Sequence, residues 1–173
     1  HLSDSQYLLK NENWKKNVDK YILDEISISR DQIKNKTVID VGCGGGRWTY
    51  GFAKLGCTVT AVDVSEGPTR ITKEFVPDAE VIVSDLFDIY TKLKGRTFDI
   101  IWCWGVIHHT GNPKQAFNTL FKLMHPQSIL HLYVYSFDSG ARVKMLRKIR
   151  GFLSVPIREK AQNILIRMGT LNG

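Results

Sequence analysis

A glycine-rich turn near position 42 is the first feature of this sequence that could do chemistry. Residues 40–46 have the sequence DVGCGGG, with glycine at four of the last five positions. Glycine permits a sharp turn and lets a ligand approach the backbone without an intervening Cβ. Such a turn between a strand and a helix is typical of a site that holds a nucleotide or nucleoside. We therefore expect a ligand at this turn.

An acid, Asp63, ends the next apolar run, about twenty residues after the glycines. A carboxylate at this place can accept hydrogen bonds from both hydroxyls of a ribose. The alternative is a solvated side chain or a helix cap within residues 63–66. The spacing between Asp63 and the turn favours the ribose interpretation.

Two further residues distinguish this turn from a dinucleotide site. The dinucleotide fingerprint requires glycine at the position of Arg47, where the helix packs closely on the strand. Asp40, beside the turn, would repel a pyrophosphate because both are negatively charged. A ligand with a cationic end suits this turn better than a dinucleotide does.

Hydrophobic periodicity predicts the elements that must position these residues. Strands are expected at residues 37–41, 58–62, 80–83, 98–104 and 128–135, and helices at about 11–29, 46–55, 66–75, 112–123, 139–153 and 157–168. Alternating strands and helices indicate an α/β fold, a doubly wound, Rossmann-like parallel sheet in three α/β/α layers. In such a sheet ligands bind at the carboxyl ends of the strands, where the motifs fall.

Several segments together resemble class I S-adenosylmethionine (SAM)-dependent methyltransferases of the small-molecule branch. Residues 38–46 resemble motif I, and residues 58–63 resemble the acidic-loop motif that follows it. Ser84-Asp85-Leu86 resembles the adenine motif, residues 98–109 resemble motif IV, and residues 123–128 occupy the place of the usual Leu-Lys-Pro-Gly-Gly turn. The resemblance covers roughly residues 34–136, and motif I is specific only when joined to the others.

The resemblance implies a role for each matching residue. The backbone around Cys43, at Gly42, Gly44 and Gly46, lines methionine and ribose. Asp40 faces the amino end of SAM, and Asp63, followed by Val64, binds the ribose hydroxyls. Asp85 and the amide of Leu86 contact adenine. Trp104 and Gly105 lie near the sulfonium, where an aromatic face adds cation–π attraction.

Methyl transfer is a direct displacement, so the protein contributes alignment and desolvation and needs a base only if the acceptor must lose a proton. His109 and His108 are the catalytic candidates, and the alternative for either is a capping or packing role. His125 and His131 are expected to be structural. No metal site is expected, because metal-assisted relatives carry acidic ligands after strand four. The sequence also lacks the motifs of the DNA-amino-methylating and cytosine-C5 branches.

Two other functions remain open. An NAD(P)-binding oxidoreductase is disfavoured by Arg47 and Asp40, and no Tyr-x-x-x-Lys element is visible. A non-catalytic SAM-binding module is the other alternative, because the family's last two antiparallel strands are expected to be missing after Ser136.

Charge is concentrated at the end of the chain. The net charge is +7, and from Asp138 onward eight basic residues stand against two acids. The rest is near neutral, so no nucleic-acid partner is expected. The three cysteines show no paired metal spacing, and three cannot all pair within one chain, which favours a reducing, cytoplasmic setting.

We divide the chain into an N-terminal helical lid (1–36), a SAM-binding core (37–136) and a basic helical tail (137–173). The favoured interpretation of the tail is the start of a longer C-terminal region in a truncated sequence. Alternatively its helices cover the edge of the sheet, or that edge or the tail forms a homodimer. A basic helix also suits a membrane surface or an acidic partner.

Overall fold

A six-stranded parallel sheet forms the centre of the fold. The computed structural model describes residues 10–136 and 164–170. The strands are β1 Thr37–Val41, β2 Thr58–Asp63, β3 Glu80–Val83, β4 Phe98–Trp104, β5 Met124–Ser136 and β6 Ile164–Thr170. Their order is β3-β2-β1-β4-β5-β6, and every pairing is parallel. The strand order reverses between β1 and β4, which is where such sheets bind ligands.

Helices cover both faces of this sheet, which confirms the predicted doubly wound, three-layer architecture. The helices are α1 Glu12–Ile26, α2 Arg30–Ile33, α3 Arg47–Lys54, α4 Glu66–Phe75, α5 Ile89–Lys92 and α6 Pro113–Lys122. One apolar cluster joins α1, α2 and α3 to one face, and a second joins α5 and α6 to the other. None of the helices in the described part of the chain is long and apolar enough to cross a bilayer.

Side-chain caps fix where several helices begin. The Asn11 side chain accepts from the Trp14 amide at the start of α1, at 3.1 Å. Asn112 accepts from the amide of Gln115 at the start of α6 and is followed by Pro113 at the first helical position. These caps satisfy amide groups that the helix itself leaves without a partner.

The N-terminal helix α1 is an integral layer of the fold. Val18 and Ile22 are fully buried in its inner face. Gly51 of α3 allows the close approach, because a Cβ there would lie 2.5 Å from Ile22 Cδ1 and 2.7 Å from Val18 Cγ2. Burial of such apolar side chains stabilises the fold by roughly 1.5–3 kcal/mol each.

The end of the chain differs from the prediction. A helix was expected over residues 157–168, but Ile164–Thr170 is a strand that pairs with the full second half of β5. The reason is that the edge of β5 offers unpaired backbone groups, which an apolar, β-branched strand satisfies and a helix does not. β6 therefore occupies the edge that was a candidate for helix cover or dimer pairing. The helix predicted over residues 139–153 lies outside the described residues.

Candidate functional site

A cleft of about 470 Å³ opens at the carboxyl ends of β1, β2 and β4 and in the segments that follow β1, β2, β3 and β4. Its size falls within the roughly 300–1,000 Å³ of typical small-molecule sites. Most of the lining is apolar, and its polar side chains are Asp63, Ser84, Asp85, His109 and Thr110. The lining residues are Val41, Gly42, Val62, Asp63, Val64, Ser84, Asp85, Leu86, Phe87, Ile89, Trp104, Gly105, Val106, His109, Thr110 and Gly111.

The glycine turn is held against β2 and against the loop after β4. The Gly42 amide donates to the Val62 carbonyl at 2.7 Å, and Gly42 has a φ of +74°. A Cβ on Gly42 would lie 2.1 Å from Val106 Cγ2, and one on Gly46 would lie 2.9 Å from Thr72 Oγ1. The sequence predicted glycines that make room for a ligand. In the structure the room at Gly42 and Gly46 is taken by neighbouring side chains.

Asp63 is fixed by two backbone amides at the mouth of this turn. Its Oδ2 accepts from the Gly44 amide and its Oδ1 from the Ser65 amide, both at 2.9 Å. A carboxylate has about four lone-pair positions, so each oxygen keeps capacity for a further donor. Asp63 lines the cleft, and a pair of adjacent hydroxyls is the donor set that this arrangement suits.

A second acid and several apolar side chains form the neighbouring wall. Asp85 is exposed and its side chain accepts from the Phe87 amide at 2.8 Å, which caps a short 3-10 turn over Leu86–Asp88. Val64, directly after Asp63, is 65% exposed although it is apolar. This part of the cleft combines a hydrogen-bond acceptor with apolar surface, which suits a flat heterocycle.

Asp40 lies behind the turn, and its predicted role at the amino end of SAM stays a prediction. Strand alternation places Asp40 on the same face as Val38, towards α3. It is 1% exposed and accepts from Thr49 Oγ1 at 2.7 Å. Burial raises the pKa of Asp40 to about 6, although the Thr49 hydrogen bond and the Arg47 charge oppose the increase. Its charge therefore acts from one layer below the cleft.

The β4 end contributes rings and a turn. Trp102 is fully buried and belongs to the core, whereas Trp104 is half-buried and lines the cleft. The Gly105 amide donates to the Tyr133 carbonyl at 2.8 Å, and Gly105 has a φ of +73°. The chain thus makes a sharp turn at the end of β4, and the residues after this turn form part of the cleft wall.

Two histidines follow in a 3-10 turn over Ile107–His109. His109 is exposed and lines the cleft, whereas His108 is half-buried and is not part of the lining. Their ring centroids are 4.1 Å apart. Burial, with a contribution from neighbouring His109, lowers the pKa of His108 to about 4, so that ring is neutral at neutral pH.

The structure divides the predicted ligand-binding residues into two groups. The cleft wall contains Gly42, Asp63, Val64, Asp85, Leu86, Trp104, Gly105 and His109. Behind or beside it lie Asp40, Cys43, Gly44, Gly46 and His108. Lining residues that the sequence did not identify include Phe87, Ile89, Val106, Thr110 and Gly111. The sequence signal that could have predicted this part of the wall is the apolar pair Phe87 and Ile89, which follows Asp85 at the end of a strand.

The sequence is similar to those of known methyltransferases. Residues 14–163 match the family described as "Methyltransferase domain". The mitochondrial ubiquinone biosynthesis O-methyltransferase of Schizosaccharomyces pombe is 30% identical over 123 residues, which are 69% of this chain and 45% of that protein. The corresponding enzyme of Coxiella burnetii is 33% identical over 110 residues, 62% of this chain and 44% of that protein. The chain spans about half the length of these relatives.

A solved structure supports the same fold. Coclaurine N-methyltransferase, crystallised with N-methylheliamine and SAH, aligns with a TM-score of 0.59 at 18% identity, covering 75% of this chain and 42% of that one. At this identity the likeness concerns the fold alone. The family match covers most of the chain and agrees with the strand order and with the motifs at the strand ends. The chain therefore belongs to the methyltransferase-domain family, which confirms its resemblance to the class I SAM-dependent methyltransferases.

Proposed function

We propose that this chain binds SAM and transfers its methyl group to a small-molecule acceptor. The observation that carries the proposal is the carboxylate of Asp63. It is oriented by the amides of Gly44 and Ser65 and stands at the carboxyl end of β2 beside the glycine turn. The cleft next to it has the size and the mostly apolar lining with a few polar groups that are typical of a small-molecule site.

The residues present fit SAM along the length of the cleft. Asp63 would receive the ribose hydroxyls, and Asp85 with the Leu86 amide would hold the adenine edge. Val64, Phe87 and Ile89 would contact the adenine faces. The backbone of residues 42–46 would face the methionine portion, and the buried charge of Asp40 beneath it favours a cationic group there.

When bound, SAM supplies a methyl group that its sulfonium has already activated. The task of the protein is then to align the acceptor and to exclude water. Trp104 and Gly105 are part of the wall where we place the acceptor, and the mostly apolar lining limits hydration. For an acceptor that must lose a proton, we assign the base to His109, because it lines the cleft. His108 is the weaker candidate, because its low pKa makes it a poor proton acceptor.

The relatives named for ubiquinone biosynthesis favour an oxygen acceptor. We keep carbon and nitrogen acceptors as alternatives. A cysteine nucleophile is disfavoured, because burial raises the pKa of Cys103 to about 12 and holds it in the protonated thiol form.

The location and the partners are parts of the same proposal. All three cysteines, Cys43, Cys57 and Cys103, are free thiols, which supports a reducing, cytoplasmic setting. We expect no nucleic-acid partner. Contacts of the basic segment with a membrane surface or an acidic partner, a homodimer through that segment, and a lid formed by residues 1–36 stay predictions. No residue of α1 is among those that line the cleft.

Calorimetric titration tests the proposal against the oxidoreductase alternative. S-adenosylhomocysteine, the demethylated product, should bind to the wild-type chain, and NADH should not. Binding of NADH without a response to S-adenosylhomocysteine would reject the proposal. A screen of acceptors with radiolabelled SAM then separates an enzyme from a non-catalytic SAM-binding module.

A further inference from the structure

Four rings from β4 and β5 form a ladder on the sheet face that α1 covers. We define the ring ladder as Trp102, Trp104, His131 and Tyr133. Trp102 lies opposite His131 in the strand register, with ring centroids 3.9 Å apart and planes within 10°. Trp104 lies opposite Tyr133, at 3.8 Å and 2°. Cross-strand pairs at such distances stabilise a sheet, and here they also fix the orientation of each ring.

One end of the ring ladder is in the cleft, and the other is buried under α1. Trp104 lines the cleft where we place the acceptor. His131 is fully buried, and its Nε2 lies 3.1 Å from Oε2 of Glu25. A buried imidazole requires hydrogen-bond partners, and Glu25 provides one from a different layer of the fold, 106 residues away.

The rings are packed so closely that a displacement of the His131 ring also displaces the Trp104 ring. The centroid of His131 is 5.6 Å from that of Trp104, and the two planes lie within 8°. Trp48 of α3 packs on both tryptophans of the ladder, with ring centroids 5.2 Å from Trp102 and 4.8 Å from Trp104. These separations are contact distances, so no ligand fits between the rings. In a close-packed interior of this kind, displacement of one ring displaces its neighbours.

We propose that Glu25 and His131 are positioning residues for methyl transfer. Glu25 fixes the imidazole of His131, and the ring ladder transmits that position to Trp104 at the acceptor side of the cleft. The inference rests on the proposed function. A purely structural role would instead fasten α1 to the sheet and leave the orientation of Trp104 unaffected.

The test uses fluorine NMR of the chain labelled with fluorotryptophan, with each of the four signals assigned by a single Trp→Phe substitution. Glu25→Ala removes the carboxylate, Glu25→Gln keeps a hydrogen-bonding group for His131, and Asp24→Ala is the control on the exposed side of the same helix turn. We expect Glu25→Ala to shift the signals of Trp102 and Trp104 by more than a line width. Glu25→Gln should restore both signals, and Asp24→Ala should leave them unchanged.

The outcomes separate the two roles and the two proposals. A Trp104 signal that stays in place in Glu25→Ala, while that of Trp102 moves, would show that the pair only fastens α1. If Glu25→Ala does not fold, the spectrum of His131→Gln decides in the same way. S-adenosylhomocysteine titrations run in parallel: no binding to the wild type refutes the proposed function, whatever the ring signals show. Equal binding by wild type and Glu25→Ala, with a shifted Trp104 signal, supports positioning on the acceptor side alone.

Discussion

The cleft has two sides that are built by different means. At the ends of β2 and β3 the functional side chains are acids, and amides of adjacent turns hold them in place. At the ends of β4 and β5 they are stacked rings and histidines, and part of their support comes from α1. The first side depends on local backbone geometry, so a short motif specifies it. The second depends on side chains that are distant in sequence, so no short motif specifies it.

The first prediction concerns a substitution that disrupts the glycine turn. Gly42→Ala places a Cβ against Val106 in a backbone with a φ of +74°. Left-handed backbone and overpacking together should cost about 2–5 kcal/mol of unfolding free energy, measured by urea denaturation. Val106→Ala in the same chain should restore part of the loss, because it relieves the contact but not the backbone strain.

The matched control for this substitution is Gly67→Ala. A Cβ at Gly67, in the first turn of α4, meets nothing within 4 Å. The control should be neutral or stabilising by up to about 1 kcal/mol. Equal destabilisation by both substitutions would contradict our account of the turn.

The second prediction concerns the acid behind the turn. The folded-state pKa of Asp40 is raised from 3.8 to about 6, so its ionisation opposes folding. The cost is absent below pH 4, grows between pH 4 and pH 6, and is complete above that. Asp40→Asn keeps an acceptor for Thr49 and should raise the unfolding free energy at pH 8 by up to about 3 kcal/mol. Urea denaturation at a series of pH values measures the difference, which should shrink towards pH 4.

The same variant tests whether the charge of Asp40 contributes to ligand binding. If its charge favours the cationic end of SAM, Asp40→Asn should bind that ligand more weakly while the fold becomes more stable. A variant that is less stable than the wild type to the same extent at every pH would contradict the buried-charge account.

The third prediction tests the oriented carboxylate. Asp63→Asn keeps the shape but removes the charge that accepts from two amides and, we propose, from the ribose. A loss of charged hydrogen bonds of about 1.5–3 kcal/mol corresponds to roughly 10- to 100-fold weaker binding of S-adenosylhomocysteine. Asp78→Asn, at an exposed turn, is the control and should bind like the wild type. Wild-type affinity in Asp63→Asn would remove the ribose assignment.

The fourth and smallest prediction concerns apolar contact. Val64 is 65% exposed, so Val64→Ser should change the unfolding free energy by no more than about 0.5 kcal/mol. It should nevertheless weaken S-adenosylhomocysteine binding severalfold, because the adenine face would lose apolar contact. An unchanged affinity would place the ligand elsewhere in the cleft.

The sequence predicted most of the sheet because local patterns determine it. The predicted limits of β1, β3 and β4 coincide with those in the structure, and Asp63 and Asp85 lie at the cleft as expected. The strands are strong apolar runs, and in a parallel sheet their carboxyl ends lie on the same side. That shared position is enough to bring the motif residues together.

The sequence did not predict features that depend on partners. The sequence places Asp40 beside the turn, but only the packing of α3 shows that the Thr49 hydroxyl donates a hydrogen bond to it. Apolar periodicity over residues 157–168 suggested a helix, but Ile164–Thr170 pairs with the free edge of β5. The contact between Glu25 and His131 joins residues 106 positions apart and leaves no local signature.

We place SAM in the cleft, at the carboxyl ends of β1 and β2 and at the turn after β3. Amide NMR of the wild-type chain during titration with S-adenosylhomocysteine is the decisive measurement. We predict the largest shifts in residues 42–46, 63–65 and 85–87, with smaller ones after β4. Shifts clustered instead in the groove formed by Tyr90, Phe121, Lys122 and His125, or a response to NADH alone, would show that SAM does not bind in this cleft.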